Sequence, residues 1–314
     1  MIDSVKMAVV IPAYKVVHTL KEVILSIPDS IDDIIVVDDQ CPHFSGKEAE
    51  KVNRRNLIVI YHEQNQGVGG ALITGYKKAM ELGCEIVIKI DGDGQMDPTY
   101  IALLTASLIN NEADYTKGNR FQDIKTLKSM PKIRLFGNSA LSFFVKMASG
   151  YWNIIDPTNG YTAIHRRVLE KLNLQKISKR YFFESDMLIH LNIVNAVVKD
   201  VGIPAKYAEE GSSLSIKKAL FQFPPNLLKG LLKRIFWKYF IYDFNMASVY
   251  LLLGLPMFLW GVTWGITEWI ESTMTGIPRS AGTIMLVALP IIISFQMLLQ
   301  AINIDIYSAP KKEK

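Results

Sequence analysis

The chain has 314 residues, 49% of them hydrophobic, with 35 Lys and Arg against 30 Asp and Glu. That length buries a full α/β core, and a positive mean hydropathy leaves apolar sequence over. The two cysteines, Cys41 and Cys84, have no zinc-type spacing and fit a reducing compartment, which excludes a disulfide scaffold. The net charge of +5 comes largely from the C-terminal third, beside the apolar sequence, and so points to anionic lipid and not to nucleic acid.

Four short apolar runs in the first hundred residues, Lys6 to Pro12, Ile34 to Val37, Leu57 to Tyr61 and Ile86 to Ile90, read as strands separated by helix-compatible stretches. This is βαβ order, and it predicts a Rossmann-like, mostly parallel sheet. Such sheets bind ligands beyond the carboxyl ends of their strands. Pro12-Ala13-Tyr14, Asp38-Asp39 and Asp91-Gly92-Asp93 all fall there and predict one crevice. Met7 to Ala13 is too short for the apolar core of a signal peptide.

Asp91-Gly92-Asp93-Gly94-Gln95 is the most informative stretch. Two carboxylates two residues apart, spaced by glycines that admit a ligand to the backbone, suit a hard divalent cation carrying a diphosphate, as in a sugar nucleotide. An acidic turn after a buried strand would look the same in isolation. The turn Asn65 to Ala71, with Gly67, Gly69 and Gly70, spells neither phosphate-loop fingerprint. Its N–H groups could touch a nucleotide, and a plain tight turn fits as well. None of the five histidines has metal-ligand spacing.

From Pro224-Pro225 onward, Leu227, Leu228, Leu231, Leu232, Ile235, Phe236 and Tyr239 recur at helical spacing, flanked by Lys229, Lys233, Arg234 and Lys238. This predicts an in-plane helix at a membrane surface, and a helix packed on the N-terminal domain is the alternative. Residues 246–269 and 281–304 follow as apolar stretches of roughly 24 residues, about 36 Å as helix against a bilayer core of about 30 Å. Basic residues crowd before the first stretch and after the second, at Lys311, Lys312 and Lys314, while the connecting loop has Arg279 alone. The positive-inside rule then makes a two-span cell-membrane protein with a cytoplasmic N-terminal part. Gln296, Gln300 and Asn303 make one polar stripe on the second span and predict helix pairing, within the hairpin or in a homo-oligomer.

Ile11-Pro12-Ala13-Tyr14, Val36-Val37-Asp38-Asp39, Asn65 to Ala71, Asp91 to Gln95 and Asp156-Pro157-Thr158-Asn159-Gly160-Tyr161 resemble, in order, the motifs of GT-A family 2 glycosyltransferases. The branch that loads sugars onto polyprenyl phosphate, with dolichyl-phosphate mannose synthase and GtrB-type enzymes, is the nearer resemblance. It implies a GT-A domain over residues 1–212, an interfacial segment over 213–245 and a transmembrane hairpin with a basic tail over 246–314. It further implies that Pro12, Ala13 and Tyr14 line the nucleotide base, that Asp38 or Asp39 accepts a hydrogen bond from it, that Gly67 lies by the nucleotide, and that Asp91 faces ribose and phosphate. Asp93 and Gln95 would hold Mg²⁺ or Mn²⁺ with the diphosphate, and Asp156 would lie near the sugar, with Glu184 and Asp186 as further candidates for that pocket.

Arg120, Arg134 and a polar residue at Asn138 or Ser139 are similar in spacing to the group that binds the lipid phosphate in that branch. Lys15-Val16-Val17 stands where the family carries Asn followed by acidic residues, so a cation there could reach a donor carboxylate or phosphate. The implied reaction is inverting transfer from a UDP- or GDP-sugar to undecaprenyl or dolichyl phosphate, a nucleophile already mostly anionic at pH 7. Tetramers occur among relatives of this architecture. A family 2 enzyme with another acceptor, or a non-catalytic scaffold beside a flippase, are the alternatives. The absence of a Gln-x-x-Arg-Trp motif favours single transfer over processive synthesis.

Overall fold

The structure is a computed structural model that describes residues 5–122, 132–204 and 216–312, with backbone alone for 122, 132–138 and 216–222. The chain divides into two compact units, Met1–Arg234 with Pro310–Lys314, and Ile235–Ala309.

The first unit is built on a seven-stranded sheet: β1 (Met7–Ala13), β2 (Asp33–Asp38), β3 (Leu57–Tyr61), β4 (Ile86–Lys89), β5 (Tyr115–Asn119), β6 (Thr162–His165) and β7 (Val198–Gly202). Their spatial order is β3-β2-β1-β4-β6-β5-β7. Only β6 runs against its neighbours β4 and β5, and the other pairs are parallel. Side chains alternate across a strand, so each apolar run feeds two cores. Val10, Ile35, Val37 and Val87 pack on one face with helices α3 (Val68–Glu81) and α7 (Phe183–Ile193). Val9, Ile11, Ile34, Val36, Ile86 and Ile88 pack on the other with α1 (Val17–Ser26) and α4 (Ile101–Ile109). The short α2 (Ser45–Glu50) joins this second face through Ala49, while the long α5 (Lys132–Ser149) and the short α6 (Arg166–Leu169) pack on the first through Val145, Ala148, Val168 and Leu169.

Helix α8 runs over Ile216–Phe236 with Pro224 and Pro225 inside it, so it begins before the proline pair. One face enters the sheet unit. Leu227 joins the core, a Cβ on Gly230 would meet Ile189 at 2.4 Å, and buried Arg234 donates from Nε to Ala148 O at 2.9 Å. Arg234 Nη2 donates to Met147 O at 3.0 Å, so the guanidinium sits at the carbonyl end of α5, where positive charge is favoured. The other face leaves Leu228, Leu232 and Phe236 exposed at 57%, 60% and 53%. The boundary between the two units falls after Arg234, within α8.

The second unit continues through a π-helical turn, Trp237–Tyr242, into α9 (Met246–Thr275) and α10 (Ala281–Tyr307). Asn245 and Ser248 form a capping box at the start of α9, Gly276 ends it in the left-handed conformation, and Ser280 caps α10. Gly254, Gly261, Ser294 and Ala301 are the buried seam between the helices, small residues that let the backbones approach. Tyr239 Oη donates to Asp305 Oδ1 at 2.6 Å and Lys238 Nζ to Ser308 O at 3.0 Å, tying the base of the hairpin. Both helices are long and apolar enough to cross a membrane, and their most apolar windows are only 11% and 6% buried.

Candidate active site

The loop after β1 places Ala13 inside, Pro12 half-buried and Tyr14 exposed, with Lys15 Nζ 5.4 Å over the Tyr14 ring. Lys15 itself adopts a left-handed backbone (φ 60°) and its N–H donates to Cys41 Sγ at 3.1 Å. Asp38 and Asp39 are 3% and 2% exposed. Asp38 accepts from Cys41 N at 2.7 Å and from Gly46 N at 2.6 Å. Asp39 Oδ1 takes Gln66 N at 2.8 Å and lies 2.7 Å from His62 Nδ1, and Oδ2 takes Gly67 N at 2.7 Å. Every described partner of these two carboxylates belongs to the fold. They hold the 41–46 loop and the glycine turn at the crevice edge. Gly67 has φ +84°, a conformation that disfavours any side chain, and that turn is fastened again by Gly70 N donating to Lys179 O at 3.1 Å.

Beyond β4 lies a charge cluster around a buried lysine, with its two carboxylates partly exposed. Lys89, 1% exposed, has Nζ 3.1 Å from Asp91 Oδ1 and 3.1 Å from Glu184 Oε1, the latter on the first turn of α7. Burial opposes the Lys89 charge, but Asp91 and Glu184 more than offset it and raise its pKa above the ordinary value. Burial likewise raises the Asp91 carboxyl, against the pull of Lys89. Gly160 touches this cluster: a Cβ there would stand 2.5 Å from Lys89 Nζ and 3.0 Å from Asp91 Oδ2. Asp93 is half-buried and takes Gln95 N at 3.0 Å, while the Gln95 side chain is exposed.

Among the described residues no three His, Cys, Asp or Glu side chains converge as a ready cation cage. A hard cation shared with substrate phosphates needs only one or two carboxylates. The oxygen-only set Asp91, Asp93 and Gln95 fits that use, and Asp91 Oδ1, buried beside Lys89, lies off the hydrogen-bond direction and has no hydrogen-bond partner.

Across the same loop cluster Arg120 forks onto Asp156, Nε to Oδ2 at 2.7 Å and Nη2 to Oδ1 at 3.1 Å. Asp156, expected beside the sugar, is completely buried, whereas the Arg120 side chain is 36% exposed. Beneath them Lys117 is completely buried and its Nζ donates to Asn159 O. Burial lowers the Lys117 pKa to about 8, partly opposed by Glu184 and Asp156. Ser139 is exposed on α5, and the side chains of Arg134 and Asn138 lie outside the described residues. Asp186 faces away from the Lys89 cluster in its described bonds, taking Ser178 N at 2.7 Å and pairing with His190 at 3.3 Å.

Lys89, Lys117 and the Lys89 link to Glu184 escape a motif reading. The one signal for Lys89 is a single charge inside the apolar run Ile86-Val87-Ile88-Lys89-Ile90, which has to find a partner when that strand is buried.

The sequence profile described as glycosyl transferase family 2 matches residues 8–173. The UDP-N-acetylglucosamine–dolichyl-phosphate N-acetylglucosaminyltransferase of Methanococcus voltae is 36% identical over 215 residues, covering 64% of this chain and 85% of that protein. The undecaprenyl-phosphate mannosyltransferase of Micrococcus luteus is 27% identical, covering 65% and 85%. Among solved structures, glucosyl-3-phosphoglycerate synthase from Mycobacterium tuberculosis in complex with UDP superposes with a TM-score of 0.55 at 20% identity, covering 73% of this chain and 79% of that one. The same enzyme is known with Mn²⁺ and UDP, at a TM-score of 0.53. With the profile spanning more than half of the chain and the sheet and its strand-end carboxylates in the expected order, this protein belongs to glycosyl transferase family 2.

Proposed function

We propose that the protein transfers one sugar from a nucleotide sugar to a polyprenyl phosphate at the cytoplasmic face of a membrane, with inversion at the anomeric carbon. The observation that carries this reading is the pairing of two half-sites in one loop cluster, a carboxylate mouth at Asp91 and Asp93 and an arginine fork at Arg120. The similarity to enzymes whose acceptors are dolichyl and undecaprenyl phosphate gives the acceptor class. Pro12, Ala13 and Tyr14 line the base, and Asp38 and Asp39 act by holding the loops that frame it. Asp93 and Gln95, beside Asp91, are the residues to hold Mg²⁺ or Mn²⁺, which when bound neutralises charge on the departing nucleoside diphosphate.

The lipid phosphate needs no strong general base, because it is already anionic. The protein's share is in-line positioning and electrostatic support. Arg120, with Arg134 and Asn138 or Ser139, orients the phosphate. The exposed face of α8, with Leu228, Leu232 and Phe236 beside Lys229, lies against lipid, and the two apolar helices span the membrane. Gln296, Gln300 and Asn303 are all exposed, on the side of α10 away from its seam, which supports pairing with a second copy of the chain over pairing within the hairpin.

Purified full-length protein is assayed for transfer of radiolabel from a panel of UDP- and GDP-sugars to undecaprenyl and dolichyl phosphate with Mg²⁺ or Mn²⁺, beside Asp93→Ala. One donor should label the lipid, and the substitution should cost about a thousandfold or more in rate. Nucleotide binding without any labelled lipid would overturn the reading in favour of another acceptor or a scaffold.

A further inference from the structure

We propose that Arg180 is a donor-side binding residue that meets the diphosphate of the nucleotide sugar, and that the glycine turn at 65–71 is the seat that holds it there; this rests on the nucleotide-sugar reading given above. Much of the turn's own donor capacity is spent within the fold. Asn65 N donates to Gln40 Oε1 at 3.1 Å, Gln66 N and Gly67 N donate to Asp39 at 2.8 and 2.7 Å, and Gly70 N donates to Lys179 O at 3.1 Å. What the glycines admit is protein. A Cβ on Gly67 would stand 2.7 Å from Lys179 O and 3.0 Å from Arg180 Cγ, and one on Gly69 would stand 2.6 Å from Ser178 O and 2.5 Å from the Phe183 ring.

The segment 178–183 is thereby seated on the turn, and its far end enters the carboxylate mouth. Phe183 N donates to Arg180 O at 2.8 Å, and the next residue, Glu184, pairs with Lys89 at 3.1 Å. At its start Ser178 N is tied to Asp186 Oδ2 at 2.7 Å. Arg180 therefore stands between the glycine turn and the Lys89–Asp91 cluster on a backbone fastened from both sides. Its side chain is exposed and has no hydrogen bond or ion pair among the described residues. The neighbouring Lys179 differs, since its Nζ already donates to Gln66 Oε1 at 3.0 Å.

Charge identifies the ligand. Lys89 faces Asp91 and Glu184, and Asp93 adds a third carboxylate two residues on. A divalent cation at Asp93 and Gln95 would bring that group only to neutrality, which leaves the charge of the diphosphate itself for the protein to meet. A guanidinium meets it with paired donors in one plane. A fastened backbone under that side chain lowers the ordering cost of binding.

The test uses full-length protein in nanodiscs with Mg²⁺. UDP and GDP are titrated by calorimetry and uridine and guanosine by displacement, with Tm as a folding check. Arg180→Ala should weaken the nucleoside diphosphate that the wild type binds about tenfold, the low end for a hydrogen bond to a charged group, as suits an exposed side chain. The matching nucleoside should stay within about twofold, and Arg180→Lys, which keeps the charge and loses the fork, should recover part of the loss. Unchanged diphosphate affinity, or an equal loss for diphosphate and nucleoside, would overturn the proposal. If Arg180→Ala does not fold, Arg180→Lys is read alone: a loss of about threefold confined to the diphosphate supports the proposal, and none refutes it. A wild type that binds a nucleoside diphosphate without labelling polyprenyl phosphate defeats the acceptor reading alone, and the variants are still read on the diphosphate. A wild type that binds neither UDP nor GDP overturns both.

Discussion

The same aliphatic residues do opposite work in the two units. In the sheet unit Val9, Val10, Ile35 and Ile88 are fully buried, and polar partners are supplied to charges drawn in with them, Asp91 and Glu184 to Lys89, Arg120 to Asp156 and the Asn159 carbonyl to Lys117. In the hairpin Leu253, Leu259 and Ile292 are 56%, 55% and 63% exposed, and the buried seam is made of small residues. Water drives the first arrangement, since apolar surface leaves it at about 25 cal/mol per Å². In the membrane reading proposed above no such drive acts between the two helices, and close backbone packing and hydrogen bonds decide their partners. The difference teaches where each unit is sensitive: the sheet unit at its buried charges, the hairpin's self-association at the exposed amides of α10, which have no partner among the described residues.

The comparison is broken most severely at Gly160. Gly160→Val would drive a side chain into Lys89 and Asp91, where even a Cβ has 2.5 Å to the ammonium. Overpacking costs about 1–3 kcal/mol, and nucleotide-sugar affinity should fall about tenfold to a hundredfold. Calorimetry with Mg²⁺ checks it, and wild-type affinity would show that the Lys89–Asp91 pair does not serve the donor.

A subtler break is at Lys117. Burial holds its folded pKa near 8, below the ordinary 10.5. Between those values the unfolded chain binds the extra proton, so stability rises with pH across about pH 8 to 10.5 and is insensitive to this group below 8, with a slope of at most about 1.4 kcal/mol per pH unit. Lys117→Met should abolish that slope in thermal melts taken across the window. An unchanged slope would mean that the proton comes from elsewhere.

The smallest effect sharpens the hairpin side. Gln296→Leu with Gln300→Leu should leave the hairpin folded and weaken self-association by roughly threefold per amide, from about 0.6 kcal/mol for an interhelical bond in membranes. Light scattering in detergent reads the assembly, and an unchanged mass over a dilution series would remove the amide stripe as the contact.

Four strands were legible because each is a short unbroken apolar run: Leu57–Tyr61 has the bounds expected of it, and the other three differ by a residue or so at their ends. β5, β6 and β7 were not. Lys117 and Asn119 in β5, Thr162 in β6, and Lys199 and Asp200 in β7 interrupt the hydrophobic pattern, and their strand state comes from pairing with partners remote in sequence. The start of α8 was also hidden, because a proline pair ordinarily signals a first turn, and here it sits mid-helix.

For the site, the chemistry of Asp91, Asp93 and Gln95 and their place after β4 follow from residue type and spacing, as do two helices long enough to cross a bilayer and the basic residues that flank them. Local composition determines these, since hydropathy and strand-end position are properties of short segments. Which charge faces which is a different matter. Lys89 and Glu184 are 95 residues apart in the chain, Arg120 and Asp156 are 36 apart, and only the folded sheet brings each pair within 3.1 Å. Tertiary structure therefore decided that Asp156 belongs to an arginine, because a carboxylate's role is set by the donors that reach its lone pairs, and those arrive from distant segments.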